Sequence, residues 1–165
     1  MLLFPLAIVQ AAETASITLQ GEWTLLGPLT GLTTGLMAEL VLREEEPDPT
    51  LMTALGLGPD QQAQVQAARE ALATRPQDPQ MAQVRQELEA LRNNTVGITG
   101  TALTLRFAGT ETELLYSVIK DTETELQVMT VEKGGSELIT FTFITPDLVL
   151  MLEADQQVPM LLARR

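Results

Sequence analysis

The sequence predicts an α+β domain built on an antiparallel, up-and-down β meander of about seven strands, with a helical insertion after the first strand. Apolar and polar residues alternate early in the chain and again from Thr95 to its end, which is the period of half-buried strands. Between these parts, residues 31–93 carry apolar residues three and four positions apart, which is the period of amphipathic helices. The two changes of period therefore divide the chain into strand, helices and meander.

The first strand is expected in residues 16–26. Leu19, Trp23 and Leu25 alternate there with polar residues, so one face should be buried and the other exposed. Gly27-Pro28 then ends the strand.

The insertion at 31–93 is expected to form several helices. Leucines spaced four apart open it, and the prolines of the acidic segment at 44–50 interrupt it. Asp60 and Asp78 stand at the starts of two further periodic segments, where we expect them to act as N-caps.

The remainder of the chain should form six short strands separated by turn residues, of which Gly134-Gly135 is the strongest hairpin signal. A meander has two unpaired edges, and pairing its last strand with the first would remove them. We therefore expect a barrel, or a strongly curved half-barrel. The expected strands are residues 97–107, 112–120, 125–132, 137–145, 147–153 and 158–164.

Composition excludes several classes of function. The 165 residues include no Cys and no His, so disulfides, thiolate or Ser-His-Asp catalysis and imidazole metal sites are impossible. The 22 acidic and 10 basic residues give a net charge of −12, which argues against nucleic-acid binding. No phosphate-binding loop, dinucleotide fingerprint or nucleophile elbow is present. We predict a non-enzymatic protein without catalytic residues, metal ligands or cofactor.

The N-terminal residues predict export. Residues 2–9 form a short apolar run followed by small residues, which favours a signal peptide at 1–11 and a single domain at 12–165. The run contains no Lys or Arg, so a buried first strand is the alternative. The run is too short to cross a bilayer. We expect a periplasmic or secreted protein without a transmembrane span.

Gly21-Glu22-Trp23 on the first strand resembles the G-x-W motif of lipocalin-like, calycin-type proteins, including small bacterial envelope proteins. The resemblance implies that Trp23 plugs one end of the barrel. It also implies that an arginine at the end of the last strand, Arg164 or Arg165, packs across the indole ring.

Two functions remain open. The lipocalin-like resemblance and an apolar interior favour binding of a small apolar or amphipathic molecule, such as a lipid, inside the barrel. A barrel filled by its own side chains would favour a structural or interaction protein whose helices contact an envelope partner. The candidate ligand-binding residues are Trp23, Leu103, Leu105, Phe107, Tyr116, Phe141 and Phe143.

Overall fold

Eight antiparallel strands form a closed barrel in the computed structural model, in which neighbours along the chain pair in sequence and β8 also pairs with β1. The structure describes residues 13–165, without the side chains at 80, 84 and 88; the expected signal peptide lies outside this range. The strands are β1 (Gly21–Pro28), β2 (Thr95–Ile98), β3 (Ala102–Phe107), β4 (Thr110–Asp121), β5 (Glu125–Glu132), β6 (Gly135–Thr145), β7 (Leu148–Glu153) and β8 (Met160–Arg164).

The prediction of a single strand at 97–107 was wrong, because a hairpin divides this segment into β2 and β3. The hydroxyl of Thr99 accepts a hydrogen bond from the backbone N–H of Ala102 at 3.1 Å and so stabilises the turn. Buried apolar residues occupy even positions before the turn, as at Ile98, and an odd position after it, at Leu103. This additional strand brings the total to eight and lets the barrel close.

The first strand also begins later than predicted, because the residues before Gly21 form the helical turn α1 (Ala15–Thr18). This turn lies across one end of the barrel. The backbone N–H of Ala15 donates to the carbonyl of Thr122 at 2.6 Å, and that of Ser16 donates to Asp121 Oδ1 at 3.0 Å. Ala15 and Leu19 are therefore buried in the barrel core, although neither belongs to a strand.

The helical insertion packs on the outside of the barrel. Gly35 permits the close contact: a Cβ built there would lie 2.1 Å from the backbone carbonyl oxygen of Leu26 on β1. Any larger residue would force helix and strand apart. The four helices of the insertion are α2 (Thr34–Leu42), α3 (Pro49–Ala54), α4 (Pro59–Thr74) and α5 (Pro79–Leu91).

Arg69 on α4 caps the C-terminal end of α2. Its Nη1 donates to the carbonyls of Leu40 at 2.8 Å and Arg43 at 2.9 Å, which α2 itself cannot satisfy. The start of α4 differs from the prediction, since Gly58 is its N-cap and Asp60 lies in the first turn. Asp60 still places a negative charge at the positive end of the helix dipole.

Two apolar cores result, one inside the barrel and one between the barrel wall and the helices. None of the helices in the described range is long and apolar enough to cross a membrane. The fully buried large side chains of the inner core are Leu19, Trp23, Leu103, Leu126, Phe141 and Leu162, and those of the outer core are Leu36, Leu40, Leu55, Val65, Leu148 and Leu161.

Candidate functional site

The barrel end beside α1 is closed by Trp23 and Arg164. The Arg164 guanidinium carbon lies 4.3 Å from the centroid of the indole ring, in a cation–π arrangement. Its Nη2 donates to the carbonyl of Thr18 at 2.6 Å. The indole Nε1–H donates to the carbonyl of Leu19 at 2.8 Å, so the one polar atom of a fully buried ring is satisfied.

Gly21 makes this arrangement possible. Its φ of +130° is a conformation that side-chain-bearing residues avoid. A Cβ at this position would lie 3.5 Å from Arg164 Nη1, an ordinary contact distance, so the backbone conformation and not space requires glycine. The G-x-W sequence thus has a local explanation: glycine lets the chain turn from α1 into β1, and two residues later the Trp23 side chain points inward.

The inner half of the candidate ligand site is filled by its own side chains. Trp23, Leu103 and Phe141 have no exposed surface, so no void wide enough for a water molecule touches them. Phe143 is half-buried and meets the Trp23 ring edge-on, with centroids 6.3 Å apart. These residues make a packed core of the kind expected in a narrow barrel.

The polar groups that face this interior are used by the barrel itself. The buried Tyr116 donates its hydroxyl to the carbonyl of Thr99, and Thr130 donates to the carbonyl of Glu137 at 3.2 Å. Burial, followed by the charge of Asp121, raises the pKa of Tyr116, which stays protonated as a donor. In the described part of the chain, no buried side-chain nitrogen or oxygen lacks a partner.

The opposite end of the barrel is more open. Leu105 is half-buried there, and Phe107 at the end of β3 is 36% exposed. The structure therefore brings six of the seven candidate residues into or against the inner core, the half-buried Leu105 among them, and leaves Phe107 nearest solvent.

Three carboxylates approach one another at this open end. One oxygen from each of Glu137, Glu153 and Asp155 lies within 4.8 Å of the others. Burial raises the pKa of Glu137 and of Glu153, and repulsion from neighbouring carboxylates raises both further. Calcium normally takes about six to eight oxygen ligands, so three carboxylates alone do not build a metal site.

An exposed apolar surface lies on the outside of the barrel, and the sequence analysis did not identify it. Leu115 and Val131 pair across β4 and β5 and are 60% and 63% exposed. A β-bulge between Val118 and Lys120 leaves both Val118 and Ile119 exposed. We call the outward-facing pair Leu115 and Val131 the β4–β5 face. The sequence signal for this surface was the presence of Leu115 and Ile119 at odd positions of β4, which are otherwise polar and should face solvent.

Comparison of the chain with protein-family models, curated proteins and solved structures found no match.

Proposed function

We propose that this protein is a non-enzymatic, lipocalin-like barrel with a filled interior, and that it acts by binding another protein on its outer surface. The observation that carries the proposal is the β4–β5 face, whose two paired aliphatic side chains, Leu115 and Val131, are 60% and 63% exposed. Contiguous exposed apolar surface is characteristic of interaction sites. The Trp23–Arg164 closure supports the lipocalin-like part of the proposal.

Charge indicates what kind of protein would bind. Residues 110–133, which form the β4–β5 hairpin, contain six acidic and two basic residues, for a net charge of −4. One of the two, Lys120, is already paired with Glu125 at 2.8 Å. The complementary surface is an apolar patch bordered by Lys and Arg. A second copy of this chain would oppose acid to acid, and an anionic lipid surface would also be repelled.

The test compares binding to the protein's own cell-envelope extract by three immobilised forms. Leu115→Thr combined with Val131→Thr removes the apolar pair while keeping residues that favour strands. Ile17→Thr is the matched control, since Ile17 is 56% exposed but lies on α1. We expect basic proteins to be retained by the wild type and the control and lost by the double variant.

Two results would overturn this proposal. Retention of the same proteins by the double variant would show that the β4–β5 face is not the binding surface. Sedimentation of the wild type as a dimer and of the double variant as a monomer would identify a second copy as the occupant instead.

A second candidate function is binding of a small amphipathic ligand at the open barrel end. It is supported by three apolar residues at the same barrel end: Phe107 and Val158 are 36% and 37% exposed, and Leu105 is half-buried. A ligand there would lie above the packed core. Native mass spectrometry of protein purified from its own envelope tests this function: a co-purifying lipid-sized mass supports it, and a clean apo mass counts against it.

Export to the periplasm or outside the cell remains part of the proposal. Its support is the apolar run at residues 2–9 and the small residues that follow. N-terminal sequencing of the mature protein should begin near residue 12, and an intact Met1 would contradict export.

A further inference from the structure

A cleft outside the barrel, separate from the β4–β5 face, combines features of an anion site. It lies between β1, α2, the end of α5 and the end of β8, and its volume is about 290 Å³. That volume is at the small end of the range for ligand sites, roughly 300–1,000 Å³. Its apolar walls are Leu26, Ala38, Leu42 and Leu91.

Positive charge is concentrated in this cleft. Arg92, Arg164 and Arg165 all line it, although the whole chain has only ten basic residues and a net charge of −12. Of the described residues that line the cleft, Glu39 is the one acid. Glu39 is paired with Arg43 at 3.0 Å, so its charge is already compensated.

Two of these arginines have unused donors. Arg164 donates to the carbonyls of Thr18, Gln20 and Pro146, so its contribution to the cleft is mainly its positive charge. The guanidinium groups of Arg92 and Arg165 have no hydrogen bond or ion pair with any side chain or carbonyl in the described part of the chain. Each can therefore offer a planar pair of N–H donors to an oxyanion.

Thr24 adds a neutral hydrogen-bond donor to the cleft. It lies on β1 with its side chain directed away from the barrel core, lines the cleft, and is only 7% exposed. Its hydroxyl has no hydrogen-bond partner within residues 13–165 and is not an enclosed atom, so it is open to the cleft. There it can donate to an oxygen atom of a molecule bound beside the guanidinium groups.

We propose that this cleft binds a small organic acid with a carboxylate or phosphate head and a short apolar chain. The head lies between the guanidinium groups of Arg92 and Arg165 and accepts the hydroxyl hydrogen of Thr24. The apolar chain lies along the leucines and Ala38, which a free inorganic anion would leave uncovered.

Calorimetric titration of the full protein with hexanoate, hexyl phosphate and 1-hexanol tests the proposal at low ionic strength. We expect either acid to bind more tightly than the alcohol, and the affinity to fall as salt is added because the guanidinium groups are exposed. The tighter of the two acids identifies the head group. Equal binding of 1-hexanol, or no binding of any probe at millimolar concentration, would overturn the proposal.

Substitutions locate the binding. Arg92→Gln and Arg165→Gln should each weaken binding of the tighter acid about tenfold, since a charge-assisted hydrogen bond is lost. Thr24→Val keeps the shape of the side chain and should weaken it about fivefold. Arg85→Gln, an exposed arginine of α5 that does not line the cleft, is the matched control. Equal weakening by Arg85→Gln would show that net charge, not the cleft, governs binding.

Discussion

Arg164 is expected to stabilise the fold by holding the closed end of the barrel together, and Arg164→Met tests this. The guanidinium connects three parts of that end: the Trp23 ring at 4.3 Å, the carbonyl of Thr18 at 2.6 Å, and the carbonyl of Pro146 at 3.4 Å. Methionine keeps an unbranched apolar chain over the ring and removes the charge and the donors. The substitution therefore isolates the polar part of the contact.

The expected loss is about 2 kcal/mol of unfolding free energy. A partly exposed cation–π contact contributes about 1 kcal/mol. The short hydrogen bond from a charged donor to Thr18 contributes about 1.5 kcal/mol. The bonds at 3.4 Å are near the limit of useful geometry and add little. The contact with Asp147 at 3.7 Å involves a carboxylate side chain that is 63% exposed, so it adds almost nothing. Met recovers a small part of the loss through packing.

The single tryptophan makes the assay direct. Trp23 is the only Trp and is fully buried, so its emission reports on this end of the barrel during urea unfolding. Arg165→Met is the matched control, since the neighbouring guanidinium has no partner in the described residues, and we expect a change within about 0.5 kcal/mol. If Arg164→Met and Arg165→Met were equally stable, the reasoning about the closed end would be refuted.

Three further substitutions have expected outcomes. Trp23→Ala should cost about 3–5 kcal/mol in chemical denaturation followed by circular dichroism, because a buried aromatic leaves a cavity; a change near zero would refute its core role. Gly35→Ala should destabilise despite the better helix propensity of alanine, since its Cβ would meet a backbone carbonyl at 2.1 Å. Gly58→Ala, with nothing within 4 Å of the added Cβ, should cost less than about 1 kcal/mol, which reflects only the poorer N-cap preference of alanine; equal effects of the two substitutions would contradict the close helix–strand contact. Glu137→Gln should raise stability at neutral pH, because the raised pKa of Glu137 means that its charged form is disfavoured in the fold. That gain in stability should shrink below about pH 4, where Glu137 is protonated in the unfolded chain as well. Glu113→Gln, on the outer face of β4, is the control. An equal gain from Glu113→Gln, or a gain that does not depend on pH, would contradict this prediction.

The sequence was sufficient to predict the architecture because the barrel is built from local patterns. The predicted strand at 125–132 matches β5, and the prediction at 137–145 differs from β6 only at its start. The hairpin at Gly134-Gly135 lies between them as expected. The prediction that an arginine at the end of the last strand packs across Trp23 is confirmed for Arg164. The strands and the hairpin are encoded in alternation or in a single turn, whereas the arginine over Trp23 was implied by the lipocalin-like resemblance.

The features that were not predicted depend either on a shift in which positions are buried or on contacts between segments that are distant in the chain. The change from even to odd buried positions between Ile98 and Leu103 marked a hairpin, but a count of alternating residues does not register such a shift. Leu19 has the spacing of a strand residue and is buried, yet its burial comes from a helical turn across the barrel end. Periodicity reports that a side chain is buried without specifying which element buries it.

The two proposed binding surfaces were hidden from sequence reasoning for a related reason. The cleft unites residues from four elements, so Arg92 and Thr24 have no shared signal along the chain. Closing the barrel determines where such surfaces can lie. The inner wall is covered by packed aliphatic and aromatic side chains, and its buried polar groups bond to the barrel's own backbone. A ligand deep inside the barrel would therefore have to displace that core. The outside of the molecule carries both the guanidinium of Arg92, which has no partner among the described residues, and the exposed Leu115–Val131 pair. Binding on the outside leaves the core intact, which is why substitutions such as Leu115→Thr and Arg92→Gln should separate binding from folding, whereas Trp23→Ala should not.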